Sequence, residues 1–343
     1  ALVPERHTTP LFYRAGDLGD LSGTPLFEQA QAQQRDVERQ WQRVAGLAAE
    51  AAAAAGVTRP LGPSDWRWAY ATFHSRAVSF PDPRGPLRLP DGTPAPFSEG
   101  VVPGIDFANH EAGAAARWTV FVGWGEGDPT SVRLVKAGYL PRKGEEVRID
   151  YGEKSNAELL FLHGFAVEGN PHDQLVVEAP VEEGKGGPVE LLVARGTPPR
   201  AFLPMTAVAR GAKPGAARRE LLGLVDLLEP FVLRQDELEA ELARARGAEP
   251  EGAPPRDDAG LAMGVASLLV RMLERRVADM EEGTGSLESD ESVLALPTNS
   301  LLPHRRAALV YRAAQKRMAR EYLAEARKML GDATKRVQAA AAA

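Results

Sequence analysis

Two short stretches carry the side chains of this sequence that are best suited to chemistry. The first, Pro103–His110 (PGIDFANH), ends on an Asn-His pair, and the second, Ile149–Leu160 (IDYGEKSNAELL), carries a tyrosine, Tyr151, near its start. An amide, an imidazole and a phenol all make directional hydrogen bonds. Such a pair can hold an adenine-bearing cofactor, and a firmly placed phenol can orient a reacting amine. The two stretches therefore predict a binding site, provided that they fold side by side.

Short strands are predicted around both stretches. Alternating apolar and polar residues predict strands over Trp118–Trp124 and Ser131–Ala137. A turn is predicted at Pro141–Gly144, where the proline presets φ and the glycine tolerates the exit conformation. Val147–Asp150 then predicts the next strand. The tyrosine of the second stretch is thus expected at a strand end.

A helix start is predicted on the other side of that tyrosine. Ser155 and Glu158 have the spacing of a capping box, in which each side chain bonds to the other residue's backbone amide. Tyr151 is therefore expected between a strand and a helix, where a side chain is held firmly and stays accessible. Alone, a strand-end tyrosine is usually a half-buried packing residue, and it is the order of all these features that favours a site.

Helices are predicted upstream of the two stretches. Pro25–Gly56 is rich in alanine and glutamine, which favour helix, and its last glycine is a candidate C-cap. A second helix is expected through Trp68–His74, with Ser64 or Asp65 as its N-cap. The proline and glycine residues of Arg76–Ser98 predict an irregular connection.

The downstream half has a different pattern. Apolar residues recur at helical spacing over Leu221–Arg246, Gly260–Met280 and His304–Val337, and acidic connectors are expected over Gly247–Asp258 and Glu281–Ser300. The basic pairs Arg305-Arg306 and Lys316-Arg317 predict a solvated helix face, with contact to an acidic target as the alternative.

The order of these features resembles the catalytic half of SET-domain lysine methyltransferases, and among them the RuBisCO large-subunit methyltransferase family. The resemblance covers Trp66–Asp173 and rests on Ser75-Arg76 together with the two stretches described above. The helical half is similar to that family's substrate-binding domain by position and pattern only.

This resemblance implies an α+β fold class. A β-rich SET domain with knot-like threading and a helical insert is expected over residues 1–179, and an all-α substrate-binding domain over residues 180–343. The threading would bring Asn109 and Tyr151 together although they are far apart in the sequence.

The resemblance also implies roles for individual residues. Asn109 and His110 would contact S-adenosylmethionine, and Ser75 and Arg76 would belong to the same cofactor site, with the guanidinium holding the cofactor carboxylate. Tyr151 would be the catalytic residue and would also contact the cofactor.

Three further positions are implied on the substrate side. Asp106 would lie near the substrate channel. Phe121 and His163 occupy positions where the family often has tyrosine, and these changes could alter the target, the number of methyl groups added or the activity. The family also has a glycine-bearing cofactor segment at the start of its domain, and we expect that segment to be missing from this sequence.

Composition excludes several classes of protein and of site. The 343 residues, 44% of them hydrophobic and 26% charged, are typical of a globular protein of two domains. A net charge of −6 with mixed signs argues against nucleic-acid binding. The sequence contains no cysteine, which excludes disulfides and thiolate zinc sites, and six scattered histidines show no ligand spacing for another metal. No apolar run approaches the ~20 residues that cross a bilayer.

The function expected from the resemblance is methyl transfer from S-adenosylmethionine to the side-chain amine of lysine in a protein. Two alternatives stay open, a non-catalytic SET-like protein-binding module and a protein-histidine methyltransferase. The expected partner is a protein substrate, with the RuBisCO large subunit, fructose-bisphosphate aldolase or another plastid protein as candidates. The resemblance suggests a chloroplast location, otherwise the cytoplasm or nucleus, and a monomer is expected.

Overall fold

The described part of the chain forms two compact units. The computed structural model describes residues 4–80, 98–121, 131–138, 142–179, 189–194, 200–201, 228, 232–233, 237 and 257–342. One unit consists of Ala1–Phe12, Gln31–Gly152 and Phe161–Gly164, and the other of Tyr13–Ala30, Glu153–Leu160 and Phe165–Ala343. The domain boundary expected between residues 179 and 180 stays a prediction.

The helices and strands follow one another in a mixed order. The first half contains a 3₁₀ turn at Pro10–Phe12 and the elements α1 (Ala15–Gly19), α2 (Pro25–Ala54), α3 (Pro63–Arg76), β1 (Ala77–Phe80), β2 (Ser98–Val101), β3 (Asn109–His110), β4 (Ala116–Phe121), β5 (Ser131–Lys136) and β6 (Arg148–Ile149). The second half contains α4 (Asn156–Glu158), a π-helical turn at Leu159–His163, β7 (Gln174–Ala179), β8 (Val189–Ala194), β9 (Arg200–Ala201), α5 (Asp258–Glu282), α6 (Leu287–Leu294), a 3₁₀ turn at Thr298–Ser300 and α7 (Pro303–Ala342). None of the described helices is both long and apolar enough to cross a membrane.

The predicted helix over Pro25–Gly56 is confirmed as α2. It ends at Ala54, and Gly56 takes a left-handed conformation with φ of +71°. The amide of Val57 donates to the carbonyl of Ala52 at 2.9 Å, and the amide of Gly56 donates to the carbonyl of Ala53 at 3.1 Å. These backward bonds and the positive φ are the features of a glycine-terminated helix.

The start predicted for α3 was wrong. The helix begins at Pro63 with Gly62 as its N-cap, and Asp65 accepts a hydrogen bond from the Gly62 amide at 2.8 Å. Proline suits the first helical position because its missing N–H would have no helical partner there. The irregular connection predicted for Arg76–Ser98 was also wrong at its ends, since β1 and β2 pair antiparallel, with Ala77 opposite Val101. The middle of that segment, residues 81–97, lies outside the described residues.

A four-stranded sheet places the two chemically interesting stretches next to each other. Its order is β3-β6-β4-β5. The strands predicted over Trp118–Trp124 and Ser131–Ala137 are confirmed within the described residues as β4 and β5, which pair antiparallel from Ala116 opposite Lys136. Residues 122–124 lie outside the described residues. β6 is parallel to both β3 and β4, because Ile149 pairs with His110 on one side and with Ala116 on the other. One residue of the second stretch is therefore inserted beside the end of the first.

The second unit is organised around its two long helices. α5 and α7 confirm the helices predicted over Gly260–Met280 and His304–Val337. Leucine, valine, methionine, alanine and tyrosine side chains of both helices form one buried cluster, which also includes Leu175 and Val177 of β7. Most of the helix predicted over Leu221–Arg246 lies outside the described residues.

The connector predicted over Glu281–Ser300 contains helical structure and was wrong in that respect. Ser286 caps α6 by accepting a hydrogen bond from the Ser289 amide at 3.3 Å. Leu287 and Asp290 of this short helix are buried. Its single buried apolar side chain explains why the helix has little apolar periodicity in the sequence.

The expectation of a solvated basic face on α7 was wrong for Lys316, whose side chain is 0% exposed. Its Nζ donates to a carboxylate oxygen of Asp290 at 2.8 Å and to the carbonyl of Gly285 at 2.6 Å. Burial lowers the pKa of Lys316, and the Asp290 carboxylate opposes that shift. The other three cations of the two basic pairs bond to carboxylates: Arg305 to Asp20, Arg306 to Glu168 and Arg317 to Glu291. Each of the four cations on α7 therefore has a carboxylate partner.

Replacing Asp290 with alanine should strongly destabilise the second unit. Asp290 also accepts from Nε and Nη2 of Arg312 at 3.0 and 2.6 Å, so its removal leaves two buried cations without their shared counter-charge. Breaking a buried pair in this way costs about 3–5 kcal/mol. Urea unfolding should show this loss as a lower midpoint. The control is Glu288→Ala, which removes an exposed ion pair with Arg320 and should leave the midpoint nearly unchanged. Equal midpoints for Asp290→Ala and the wild type would contradict the prediction.

Candidate active site

Tyr151 is bonded to the end of the first stretch through both its backbone and its side chain. Its amide donates to Nδ1 of His110 at 3.1 Å, and its hydroxyl donates to the carbonyl of Ala108 at 2.9 Å. The centroids of the His110 and Tyr151 rings are 5.2 Å apart. In the neutral imidazole only one nitrogen carries hydrogen. Because Nδ1 accepts from Tyr151, the neutral His110 ring carries its hydrogen on Nε2.

Asp150 ties the same two stretches together through its carboxylate. Oδ2 accepts from the amide of Gly113 at 2.8 Å, and Oδ1 accepts from the amide of Gly152 at 2.9 Å. Both glycines have left-handed φ values, +71° and +96° respectively, which few other residues adopt without strain. The carboxylate thus holds the loop that follows the Asn-His pair and the residue that follows Tyr151.

The phenol of Tyr151 lies in an apolar setting and stays neutral near physiological pH. It packs against a cluster formed by Ala108, Ala116 and Ile149. Burial raises the pKa of Tyr151, and the positive charge of Arg76 opposes that shift. Because the phenolic proton is directed at the Ala108 carbonyl, the lone pairs of the oxygen face away from that carbonyl. The group is therefore presented as a hydrogen-bond acceptor.

His163 lies against the Tyr151 ring and has a defined tautomer. The ring centroids are 4.7 Å apart with an interplanar angle of 45°. Nδ1 of His163 lies 3.1 Å from the carbonyl oxygen of Ser75. A carbonyl can only accept, so Nδ1 is the donor.

The backbone after His163 is fixed by a close approach. Gly164 has a φ of +79°, and a Cβ at this position would lie 2.4 Å from the hydroxyl oxygen and 2.7 Å from the carbonyl carbon of Thr8. The Thr8 hydroxyl also donates to the Gly164 carbonyl at 3.0 Å. Only glycine fits here, and the packed segment holds the histidine ring beside the phenol.

Arg76 and Asp106 form a partly buried pair. Nη1 of Arg76 donates to the backbone carbonyl of Asp106 at 3.0 Å and to its carboxylate at 3.1 Å. The Asp106 side chain is 3% exposed and also accepts from the Gly104 amide at 2.9 Å. Both bonds from Arg76 use Nη1, so Nε and Nη2 of the guanidinium take no part in these bonds to Asp106.

Asn109 is exposed, and its amide is oriented by a carboxylate. Nδ2 of Asn109 donates to Oε1 of Glu146 at 2.5 Å. Nε of Arg148 donates to the other oxygen of Glu146 at 2.8 Å. Since a carboxylate can only accept, the nitrogen end of the amide must face Glu146. The amide oxygen of Asn109 therefore points away from it.

The predicted site residues fall in one of the two units. Within it, the Tyr151 ring lies against the rings of His110 and His163, and His163 bonds to the Ser75 carbonyl. Arg76 pairs separately with Asp106. The Ser75 hydroxyl lies 3.4 Å from the Thr72 carbonyl of its own helix. Phe121 ends β4, and its side chain lies outside the described residues.

The sequence reasoning missed Asp150, Glu146 and Thr8. Their partners are 37 residues away for Asp150 and Glu146, and 156 residues away for Thr8. Within the described residues, no group of three or more histidine, aspartate and glutamate side chains could hold a metal ion.

Solved structures of similar fold include those of Rubisco LSMT. Its SET domain bound to lysine and AdoHcy matches 97% of this chain and 70% of its own, with a TM-score of 0.56 and 17% identity. The structure of Rubisco LSMT bound to AdoMet gives a TM-score of 0.58 with 16% identity over the same shares. The chain has the SET-domain fold. The predicted α+β fold class is confirmed, including the helical region that follows the sheet. The expectation that residues 180–343 are all-α was wrong, because β8 and β9 lie within that range and β8 pairs with β7.

Sequence comparison finds SET-type protein methyltransferases. The actin-histidine N-methyltransferase of Danio rerio is 24% identical over 187 residues, which are 53% of this SET-domain chain and 28% of that protein. The ribosomal lysine N-methyltransferase set10 of Schizosaccharomyces pombe is 26% identical over 179 residues, 52% of this chain and 29% of that protein. The chain thus matches less than a third of the length of each relative. No family model matches the sequence.

Replacing Asp150 with alanine should loosen the site without unfolding the protein. Two amide–carboxylate bonds are lost at a partly exposed position, which corresponds to about 1–2 kcal/mol of stability. Hydrogen exchange should become faster at the amides of Gly113 and Gly152. Glu153→Ala, a change of an exposed acidic residue three positions later, is the control. Unchanged exchange at both glycines would show that Asp150 does not clamp the two stretches.

Proposed function

We propose that this protein transfers a methyl group from S-adenosylmethionine to a side-chain nitrogen of a protein, and that the nitrogen is the amine of lysine. The observation that carries the proposal is the pair of hydrogen bonds that Tyr151 donates to the first stretch, one to His110 and one to Ala108. This arrangement places a neutral phenol beside the Asn-His strand, in which Asn109 is exposed, within a SET-domain fold.

The residues present fit the proposed cofactor by their donor chemistry. The exposed amide oxygen of Asn109 is an acceptor suited to the ammonium of the amino-acid tail. Arg76 carries a permanent positive charge suited to the tail carboxylate, and Nε2 of a neutral His110 is a donor. Rubisco LSMT was solved with AdoMet bound, which supports the same ligand here.

The bound cofactor would supply an electrophilic methyl group on a sulfonium, and attack by nitrogen forms the N–C bond as the C–S bond breaks, giving S-adenosylhomocysteine. The protein must present the nitrogen without its proton. A free lysine has a pKa near ~10.4, so about one in a thousand is neutral near pH ~7.5. An apolar site lowers that pKa by disfavouring the charged form.

Tyr151 contributes orientation rather than base strength. A phenol whose pKa is raised is a poor base, since it is protonated at working pH and already donates its proton to Ala108. Its oxygen can accept a hydrogen bond from the attacking amine and a weak contact from the methyl hydrogens. Fixing nitrogen, carbon and sulfur in line lowers the barrier without a strong base.

Lysine is favoured over histidine as the target by two relatives. Rubisco LSMT was solved with lysine bound, and set10 is a ribosomal lysine N-methyltransferase. Protein histidine is the second candidate, because the Danio rerio relative is an actin-histidine N-methyltransferase. A plastid location and RuBisCO or aldolase as targets stay predictions from the resemblance.

Tyr151→Phe should reduce methyl transfer by about 100-fold or more while leaving cofactor binding nearly unchanged. The substitution removes one oriented polar atom at the reacting centre, and losses of this size are typical for such atoms. Transfer of labelled methyl groups to protein measures the rate, and calorimetry measures binding. Tyr70→Phe, a change to another packed tyrosine in the same unit, should behave like the wild type. Full activity of Tyr151→Phe would contradict the proposed role.

Mass spectrometry of a methylated target should place the added methyl group on lysine. A protein library treated with enzyme and labelled cofactor provides the material, and Tyr151→Phe provides the background. Modification of histidine alone would favour the second candidate. If the wild-type protein binds no S-adenosylmethionine, the chain is better described as a non-catalytic binding module.

A further inference from the structure

We propose that Glu146 is a positioning residue for the α-ammonium group of S-adenosylmethionine, and that it acts through Asn109. The inference rests on the proposed function, and it adds a residue that does not itself touch the cofactor. Three exposed side chains form the group, Asn109, Glu146 and Arg148.

The first step concerns the direction of the Asn109 amide. An asparagine side chain can turn by half a circle and exchange its oxygen and nitrogen, because the two ends have nearly the same shape. Glu146 removes this ambiguity, since its Oε1 lies 2.5 Å from Nδ2 of Asn109 and cannot donate. The oxygen is consequently presented on the side away from the carboxylate, where an ammonium group would be attracted. The reversed amide would present N–H groups and repel it.

The second step concerns charge. The bonds from Asn109 and then Arg148 hold the pKa of Glu146 below its ordinary value, so the carboxylate is ionised at neutral pH. A carboxylate that accepts from the nitrogen of an amide polarises it and makes its oxygen a stronger acceptor. Glu146 thereby makes the Asn109 oxygen more negative where it would face the ammonium group.

The third step concerns the opposite oxygen of the same carboxylate. Arg148 donates to Oε2 of Glu146 through Nε and Nη2, both at 2.8 Å. These bonds use the oxygen that Asn109 does not use. They restrict the movement of the carboxylate, and they leave the Asn109 bond intact. Arg148 is thus expected to have a smaller effect on cofactor binding than Glu146.

The test compares three ligands by calorimetry with the full chain. S-adenosylmethionine and S-adenosylhomocysteine share the amino-acid tail, and 5′-methylthioadenosine lacks it. Glu146→Ala should weaken the first two by about tenfold, the usual scale for losing one hydrogen bond to a charged group. Binding of 5′-methylthioadenosine should stay within about twofold of the wild type, because this ligand carries no ammonium.

Two further variants separate orientation from charge. Glu146→Gln retains an oxygen that can accept from Asn109 but removes the negative charge, and it should give a loss of about threefold, between the wild type and the alanine variant. Glu153→Ala should leave all three affinities within about twofold, and Arg148→Ala should weaken S-adenosylmethionine less than Glu146→Ala does. Thermal melting by circular dichroism shows whether each variant is folded.

The outcomes distinguish this inference from the proposed function. If Glu146→Ala weakens all three ligands equally, Glu146 only supports the local fold and the inference is overturned. Unchanged affinity for S-adenosylmethionine in both Glu146 variants would overturn it as well. If the wild-type protein binds none of the three ligands, the proposed function itself fails and the inference falls with it.

Discussion

The pairing of Ile149 with two strands at once is the constraint on which the site depends. His110 lies on one side of it and Ala116 on the other, so a two-residue strand joins segments that are remote in the sequence. Such a short strand contributes few ladder bonds of its own. The bonds from Tyr151 to His110 and Ala108, and from Asp150 to Gly113 and Gly152, supply the additional attachment. The chemistry and the fold therefore use the same few residues.

The packing of Tyr151 within the fold also explains why its phenol is protonated and acts as a hydrogen-bond acceptor. Tyr151 is partly buried against Ala108 and Ile149, and burial raises its pKa, which keeps the phenol protonated. A protonated phenol whose hydrogen is committed to a carbonyl serves as a fixed acceptor. Methyl transfer to an amine needs alignment and a dry site more than a strong base. The geometry around Tyr151 is of the kind that this reaction requires.

The sequence predicted those features that depend on neighbours in the chain. The capping box of Ser155 and Glu158 is present, with Ser155 accepting from the Glu158 amide at 3.3 Å and Glu158 accepting from the Ser155 amide at 2.9 Å. The long helices were readable from apolar spacing. The burial of Lys316 was not, because its charge matches a solvated face and its partner Asp290 lies 26 residues earlier. The bonds of Asn109 to Glu146 and of Gly113 to Asp150 both span 37 residues, and they exist only because β3 and β6 share one register.

If one ligand touches both stretches, hydrogen exchange measured with increasing S-adenosylmethionine should show it. Amides in Ile105–Gly113 and in Arg148–Glu153 should slow together and reach half-protection at the same ligand concentration. Protection of one segment without the other, or of neither at saturating ligand, would contradict this expectation.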